Sequence, residues 1–283
     1  MVLTEWTYAM TIANRILSTP STLGSQGSIP IASGGFGSFE IALRRRTRTA
    51  SDLADMYDGA SKSWAQTSRR LGLETAYSDP LISSGAVEVL GKPSAHVLDC
   101  GIGSGSLSLA LARVAQKPFD HHGIDTSSAM LAVADAELRR AAIVPQLHQA
   151  DVRAIPYPDL TFDVVMAAHV LEHLSEPHLA LREMVRVLKP GGVLFACMTR
   201  RSVFGTFVQL RWRTWTVSNQ QGIAWLRESG LTDLQARPIE LGFGTGRAST
   251  AFWAKKPLGA LDSPPNDGVA ARGRTVDDCP AQI

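Results

Sequence analysis

The chain lacks most of the features that would set it apart from ordinary globular proteins. Its 283 residues include only three cysteines, Cys100, Cys197 and Cys279, too few and too scattered for a disulfide framework or a CxxC metal site. A cytoplasmic, reducing setting is the expectation, and no metal is expected. No apolar run approaches the roughly 20 residues that a membrane-spanning helix needs, so no membrane span is expected either. The opening stretch "MVLTEWTYAMTIANRIL" has no basic segment ahead of an apolar core, so it does not read as a secretory signal. Net charge is scarce as well. Lys and Arg number 28 against 26 Asp and Glu, leaving +2, which points to no charged partner. What the chain does have is apolar material, 45% of its residues against 19% charged, enough for one large domain with appendages.

Composition divides the chain. Residues 18–38, "STPSTLGSQGSIPIASGGFGS", are rich in Ser, Gly and Pro, and "RRRTR" (Arg44 to Arg48) follows. Residues 1–48 therefore read as a disordered leader, a misassigned start codon being an equivalent explanation. Residues 258–283 lack apolar periodicity and read as a disordered tail. Between them, 49–257 alternates helices and strands. Ser51 to Leu71 and Pro80 to Leu90 read as helices. Then "AHVLDC", "FDHHGID", "PQLHQAD", "FDVVMAA" and "VLFACMT" read as strands separated by amphipathic helices. Continuous apolar strands of this kind belong to a parallel sheet covered on both faces. "LTDLQARPIE" and "ASTAFWAKKP" follow one another with no helix between, so the last strand is expected to insert antiparallel.

The densest signal is "HVLDCGIGSGSLSLALA", with Gly101, Gly103 and Gly105 between a strand and a helix. Glycine so concentrated is costly to order. At the carboxyl end of a strand it lets a ligand lie on the backbone beside the free N–H groups of a helix start. Three carboxylates define that ligand. Asp99 stands two residues ahead of Gly101, where it would repel a pyrophosphate but suit an ammonium. Asp125 ends the next strand, twenty residues after Gly105, where an acid accepts both hydroxyls of a ribose. Asp151 ends the third strand, placed to accept an adenine amino group while the Val152 N–H donates to the ring. Ammonium, ribose diol and adenine without phosphate describe S-adenosylmethionine.

These blocks resemble the class I S-adenosylmethionine-dependent methyltransferases, in their small-molecule, ubiquinone/menaquinone-biosynthesis-like branch. The resemblance runs from about Ser51 to Pro257. It rests on "VLDCGIGSG", "GIDTSSAML", "QADVRAIPYPDLTFDVVMAAHVLEHLSEP" and "LREMVRVLKPGGVLF", in which Pro-Gly-Gly would turn helix into strand. It implies a Rossmann-like α/β fold, a seven-stranded sheet of order 3-2-1-4-5-7-6 with strand 7 antiparallel. It further implies that Gly101, Gly103 and Gly105 line the methionine and ribose, and that Asp99 faces the ammonium and Asp125 the ribose. Thr126 and Met130 would border the adenine, and Asp151 and Val152 would read its edge. His169 would close over the methionine, and Tyr57 would cap the methionine carboxylate. The implied reaction is methyl transfer to an O, N or C atom of a small molecule.

Competing readings are weaker. "HVLEH" (His169 to His173) matches the H-x-x-E-H zinc-protease pattern, but it follows a buried strand and is cut off by Pro177. A general base at the acceptor mouth is a second reading for His169 or His173, and shaping the loop is the favoured one. His121 and His122 read as structural, and Cys100 lacks a neighbouring base. Residues 199–217, "TRRSVFGTFVQLRWRTWTV", read as a lid insert whose aromatics and arginines suit a lipophilic or aromatic acceptor with a negative group, or equally as an aromatic core patch whose arginines only solvate its edge. An RNA methyltransferase using "RRRTR" and the lid arginines conflicts with the near-neutral charge. A non-catalytic S-adenosylmethionine-binding subunit would not need so intact a glycine loop, and a nicotinamide-dependent oxidoreductase conflicts with Asp99.

Overall fold

Alternation along the strands builds the core. In the computed structural model, Val97, Val164, Met166, Val193, Phe195 and Cys197 point to one face of a sheet. Their neighbours Leu98, Cys100, Val165, Ala167, Leu194, Ala196 and Met198 point to the other. The structure describes residues 28–36, 39–46, 55, 58, 66, 68–70, 72–200, 216–239 and 249–259.

The first two strands, β1 (Ser28–Phe36) and β2 (Phe39–Arg46), pair antiparallel as a separate two-stranded sheet. This corrects the reading of 1–48 as a disordered leader throughout. The apolar content of "IPIA" and "FEIAL" is hidden in the composition by the Ser and Gly around it, yet suffices for a hairpin pattern. The main sheet comprises β3 (His96–Cys100), β4 (Asp120–Asp125), β5 (Gln146–Gln149), β6 (Phe162–Ala168), β7 (Leu188–Thr199), β8 (Thr232–Ile239) and β9 (Ser249–Lys255). Its order is β5-β4-β3-β6-β7-β9-β8, and β9 runs antiparallel to both β7 and β8. Counted within this sheet, that is 3-2-1-4-5-7-6 with strand 7 antiparallel, as expected.

The helices are α1 (Leu73–Ser83), α2 (Ala86–Val89), α3 (Ser106–Val114), α4 (Ser128–Arg140), α5 (Pro177–Val187) and α6 (Asn219–Glu228). The core on the face of α1, α2 and α3 includes Tyr77, Leu81, Leu90 and Leu111. The core on the opposite face includes Leu181, Met184 and Leu226 from α5 and α6. The expected helix from Pro80 to Leu90 is instead the end of α1 plus α2. The break falls at Gly85, whose φ of 80° no longer belongs to a right-handed helix. Within Ser51 to Leu71, the described residues Asp55, Asp58, Gln66 and Ser68–Arg70 are helical. β7 starts sooner than expected, at Leu188 directly behind α5, so "KPGG" lies inside the strand as a register irregularity against β6. The outer part of the expected tail, beyond Gly259, lies outside the described residues.

Candidate active site

The reversal of strand order lies between β3 and β6, and the switch point of an open α/β sheet is where ligands bind. A cavity of about 970 Å³, its open mouth included, occupies the carboxyl ends of the strands there. Nine of the expected residues line it: Asp99, Gly101, Gly103, Asp125, Thr126, Met130, Asp151, Val152 and His169.

Gly105 does not line it, which corrects its assignment. It adopts φ 81° as the N-cap of α3, and a side chain there would point at Leu138 and Ala134 of α4. Its role is to supply the left-handed turn from which α3 starts. Gly101 is different. Its φ is 67°, and a Cβ would stand 2.4 Å from a Val170 methyl, so the loop can lie against the cavity wall only without a side chain. Tyr57 lies outside the described residues. A tyrosine that periodicity did not single out, Tyr77 of α1, lines the cavity in the described structure, together with Ser68, Arg153, His173 and Leu174.

The three strand-end carboxylates have distinct environments. Asp99 is 1% exposed, and its Oδ2 accepts from the Ser108 hydroxyl at 2.6 Å. Burial pushes its pKa up to about 7, opposed by the Ser108 hydrogen bond and reinforced by the nearby Asp125 charge. Asp125 is 9% exposed. Its Oδ2 accepts from the Gly103 N–H and its Oδ1 from the Ser127 N–H, each at 2.9 Å. Burial raises its pKa, and these backbone donors pull the other way. Asp125 therefore staples the glycine loop while a second lone pair on each oxygen stays available to a hydroxyl. Asp151 is gripped by the Arg153 guanidinium, with Nη2 to Oδ2 at 2.6 Å and Nε to Oδ1 at 3.0 Å, which holds its carboxyl below the usual range. An adenine amino group must share this carboxylate with Arg153.

The surrounding chain fixes these groups in place. Ser127 caps α4 by accepting from the Met130 N–H at 3.0 Å, and its hydroxyl donates to Asp58, joining the segment before α1 to the ribose motif. The loop after β5 is held from α5: Glu183 accepts from the Ile155 N–H at 3.0 Å, and Arg186 donates to the Ile155 and Tyr157 carbonyls. The feet of the expected lid meet in a bridge between Arg200 and Val217. Residues 201–215 lie outside the described residues.

"HVLEH" begins in the bend directly after β6 and ends in one 3-10 turn, Leu171–His173, so its histidines do not share a helical face. His169 has φ 59°, a costly conformation for a residue with a side chain. Its Nδ1 lies 2.9 Å from Glu172 Oε1 and its Nε2 3.7 Å from Cys197 Sγ. That Glu172 oxygen also accepts from the Thr199 N–H at 2.9 Å and the Thr199 hydroxyl at 3.0 Å. Burial opposes the imidazolium, but the Cys197 sulfur and the Glu172 carboxylate outweigh it and raise His169 well above the ordinary histidine value. A ring so committed is suited to holding the loop and unsuited to accepting a substrate proton.

Strand order and topology define a Rossmann-like α/β fold with a cavity at its switch point. Residues 98–196 match the family model described as a methyltransferase domain. The chain is similar to the ubiquinone/menaquinone biosynthesis C-methyltransferase of Vibrio vulnificus, 35% identical over 115 residues, which are 40% of this chain and 44% of that protein. It is also similar to the demethylmenaquinone methyltransferase of Lactiplantibacillus plantarum, 35% identical over 108 residues, 38% of this chain and 46% of that one. The matches thus span less than half the length of these relatives. Among solved structures, the fold is shared with magnesium protoporphyrin IX methyltransferase from Synechocystis PCC 6803 with bound SAH. That match has TM-score 0.58 at 15% identity, over 74% of this chain and 100% of that one. The [4+2]-cyclase SpnF shares it too, with TM-score 0.52 at 20% identity, over 75% and 98%. No described helix is long and apolar enough to cross a membrane.

Proposed function

We propose that this protein transfers the sulfonium methyl group of S-adenosylmethionine to an O, N or C atom of a small lipophilic or aromatic molecule in the cytoplasm. The observation that carries this reading is the row of carboxylates at the ends of β3, β4 and β5, all facing one cavity. Two of them, Asp99 and Asp125, are desolvated acids that gain from meeting an ammonium and a ribose diol. The bound cofactor supplies an already activated methyl group on its positive sulfur.

The protein's part is alignment and exclusion of water. Asp99 would take the ammonium and Asp125 the ribose hydroxyls. Thr126 and Met130 would border the adenine while Asp151 and Val152 read its edge. Tyr77 and His169 wall the cavity, where they would enclose the methionine. With the methyl group activated by its own sulfur, a general base is needed only where the acceptor must lose a proton. The quinone-pathway names of the relatives favour an aromatic ring as the acceptor. The test is to incubate the full chain with methyl-labelled S-adenosylmethionine and a host-cell metabolite extract. Label in one small-molecule product supports the reading. Label confined to RNA would favour the RNA-directed alternative, and no transfer at all would favour a binding subunit.

A further inference from the structure

Asp99 lines the cavity and is the first member of a buried chain whose next members, Ser108 and His121, lie behind the cavity wall. Ser108 Oγ of α3 lies 2.6 Å from Asp99 Oδ2, and His121 Nε2 of β4 lies 2.7 Å from the same Ser108 oxygen. All three side chains are buried. The other nitrogen of the ring, His121 Nδ1, is buried and has no hydrogen-bond partner among the described residues. A histidine kept only for structure ordinarily has its second nitrogen tied to a carbonyl or carboxylate, which fixes one tautomer. This one is tied only to a hydroxyl, and a hydroxyl both donates and accepts.

We propose that Ser108 and His121 are positioning residues of the cofactor site, forming a two-way hydrogen-bond relay that lets Asp99 gain or lose its charge as the cofactor's ammonium arrives or leaves. This rests on the reading of the cavity as an S-adenosylmethionine site. The proton count follows from the geometry. With Asp99 ionised, Ser108 donates to Oδ2 and accepts from His121 Nε2–H, and Nδ1 is bare. With Asp99 protonated, its carboxyl donates to Ser108, Ser108 donates to Nε2, and the single ring proton sits on Nδ1. The first state holds two protons and the second three, so binding an ammonium to the protonated form releases one proton to solvent.

The ring stays neutral in both states, because burial and the neighbouring His122 lower the His121 pKa to about 4. The other groups facing the chain are Asp125 of β4, which disfavours the Asp99 charge, Tyr77 of α1 and Cys100 of β3, both of which sense that charge, and the Phe119 ring, 6.1 Å from the His121 ring. None of them hydrogen-bonds to the His121 ring in a way that would bias its tautomer.

The experiment uses the full chain labelled with ¹⁵N-histidine, titrated with S-adenosylhomocysteine at about pH 6, where the Asp99 carboxyl is mostly protonated. Ring nitrogen shifts should report His121 moving from the Nδ1–H to the Nε2–H tautomer at saturation. Calorimetry in buffers of different ionisation heat should count about one proton released at that pH, falling as pH rises above about 7, where Asp99 is already ionised and the ligand's own amino group begins to take up a proton on binding. Ser108→Ala should weaken binding by roughly tenfold or more at the lower pH, with the loss shrinking as pH rises. An unchanged tautomer with normal binding, or no proton release, overturns the relay and leaves the cofactor reading intact. A wild-type chain that does not bind S-adenosylhomocysteine at all overturns both.

Discussion

Replacing Asp125 by alanine separates ligand recognition from loop stapling. In the free protein its two oxygens hold the Gly103 and Ser127 N–H groups at 2.9 Å, and each oxygen keeps a lone pair for one ribose hydroxyl. Hydrogen bonds to a charged acceptor contribute about 1.5–3 kcal/mol each, so losing two costs about 3 kcal/mol at the low end. With tenfold in affinity for every ~1.4 kcal/mol, S-adenosylhomocysteine should bind at least roughly a hundredfold more weakly. Stability should change less. The two backbone donors lose their partner, but a desolvated carboxylate is removed at the same time. Asp125→Asn keeps the shape and one acceptor, and should lose about tenfold. Calorimetric titration of the three proteins, with circular dichroism as a check on folding, decides the matter. A folded Asp125→Ala variant with an unchanged dissociation constant would show that Asp125 only holds the loop.

Three further outcomes are expected. Burial pushes the Asp99 pKa up to about 7 from the ordinary 3.8 of an aspartate, so its burial penalty is absent below about pH 4, grows with pH, and is full above about pH 7. Asp99→Asn should therefore raise the melting temperature of the ligand-free protein at about pH 8, by up to about 4 kcal/mol of stability, leave it unchanged near pH 4, and weaken cofactor binding at both. Gly101→Ala should abolish binding because its methyl collides with Val170, whereas Gly105→Ala should bind nearly normally and lose about 1 kcal/mol to backbone strain; parallel melts and titrations read both. Deleting residues 1–48 should leave cofactor affinity intact, while deleting through Leu71 removes Asp58 from Ser127 and Arg69 from Glu137 and should weaken it, as a pair of titrations would show.

Features carried by local pattern were legible in the sequence. Continuous apolar strands, the glycine loop and the acids at strand ends are all written in consecutive residues, and the sheet order followed once the blocks were recognised. Features that depend on a meeting of distant residues were not. Ser108 and His121 are 13 residues apart on a helix and a strand, and nothing in either segment announces the other. Tyr77 looks like any aromatic residue on a buried helix face until the fold brings it to the cavity. Gly105 follows the spacing of Gly101 and Gly103, but at the turn into α3 a Cβ there would face Leu138 and Ala134, and the residue does not line the cavity. Arg153 sits two residues from Asp151, and only the turn after β5 folds its guanidinium back onto the carboxylate.

The most direct test of the cofactor assignment is a calorimetric titration of the full chain with S-adenosylmethionine, S-adenosylhomocysteine and NAD in parallel. Micromolar binding of the two adenosyl sulfur compounds at a single site, with little heat from NAD, is the expected result. NAD binding more tightly than S-adenosylmethionine, or no binding of either adenosyl compound, would contradict it.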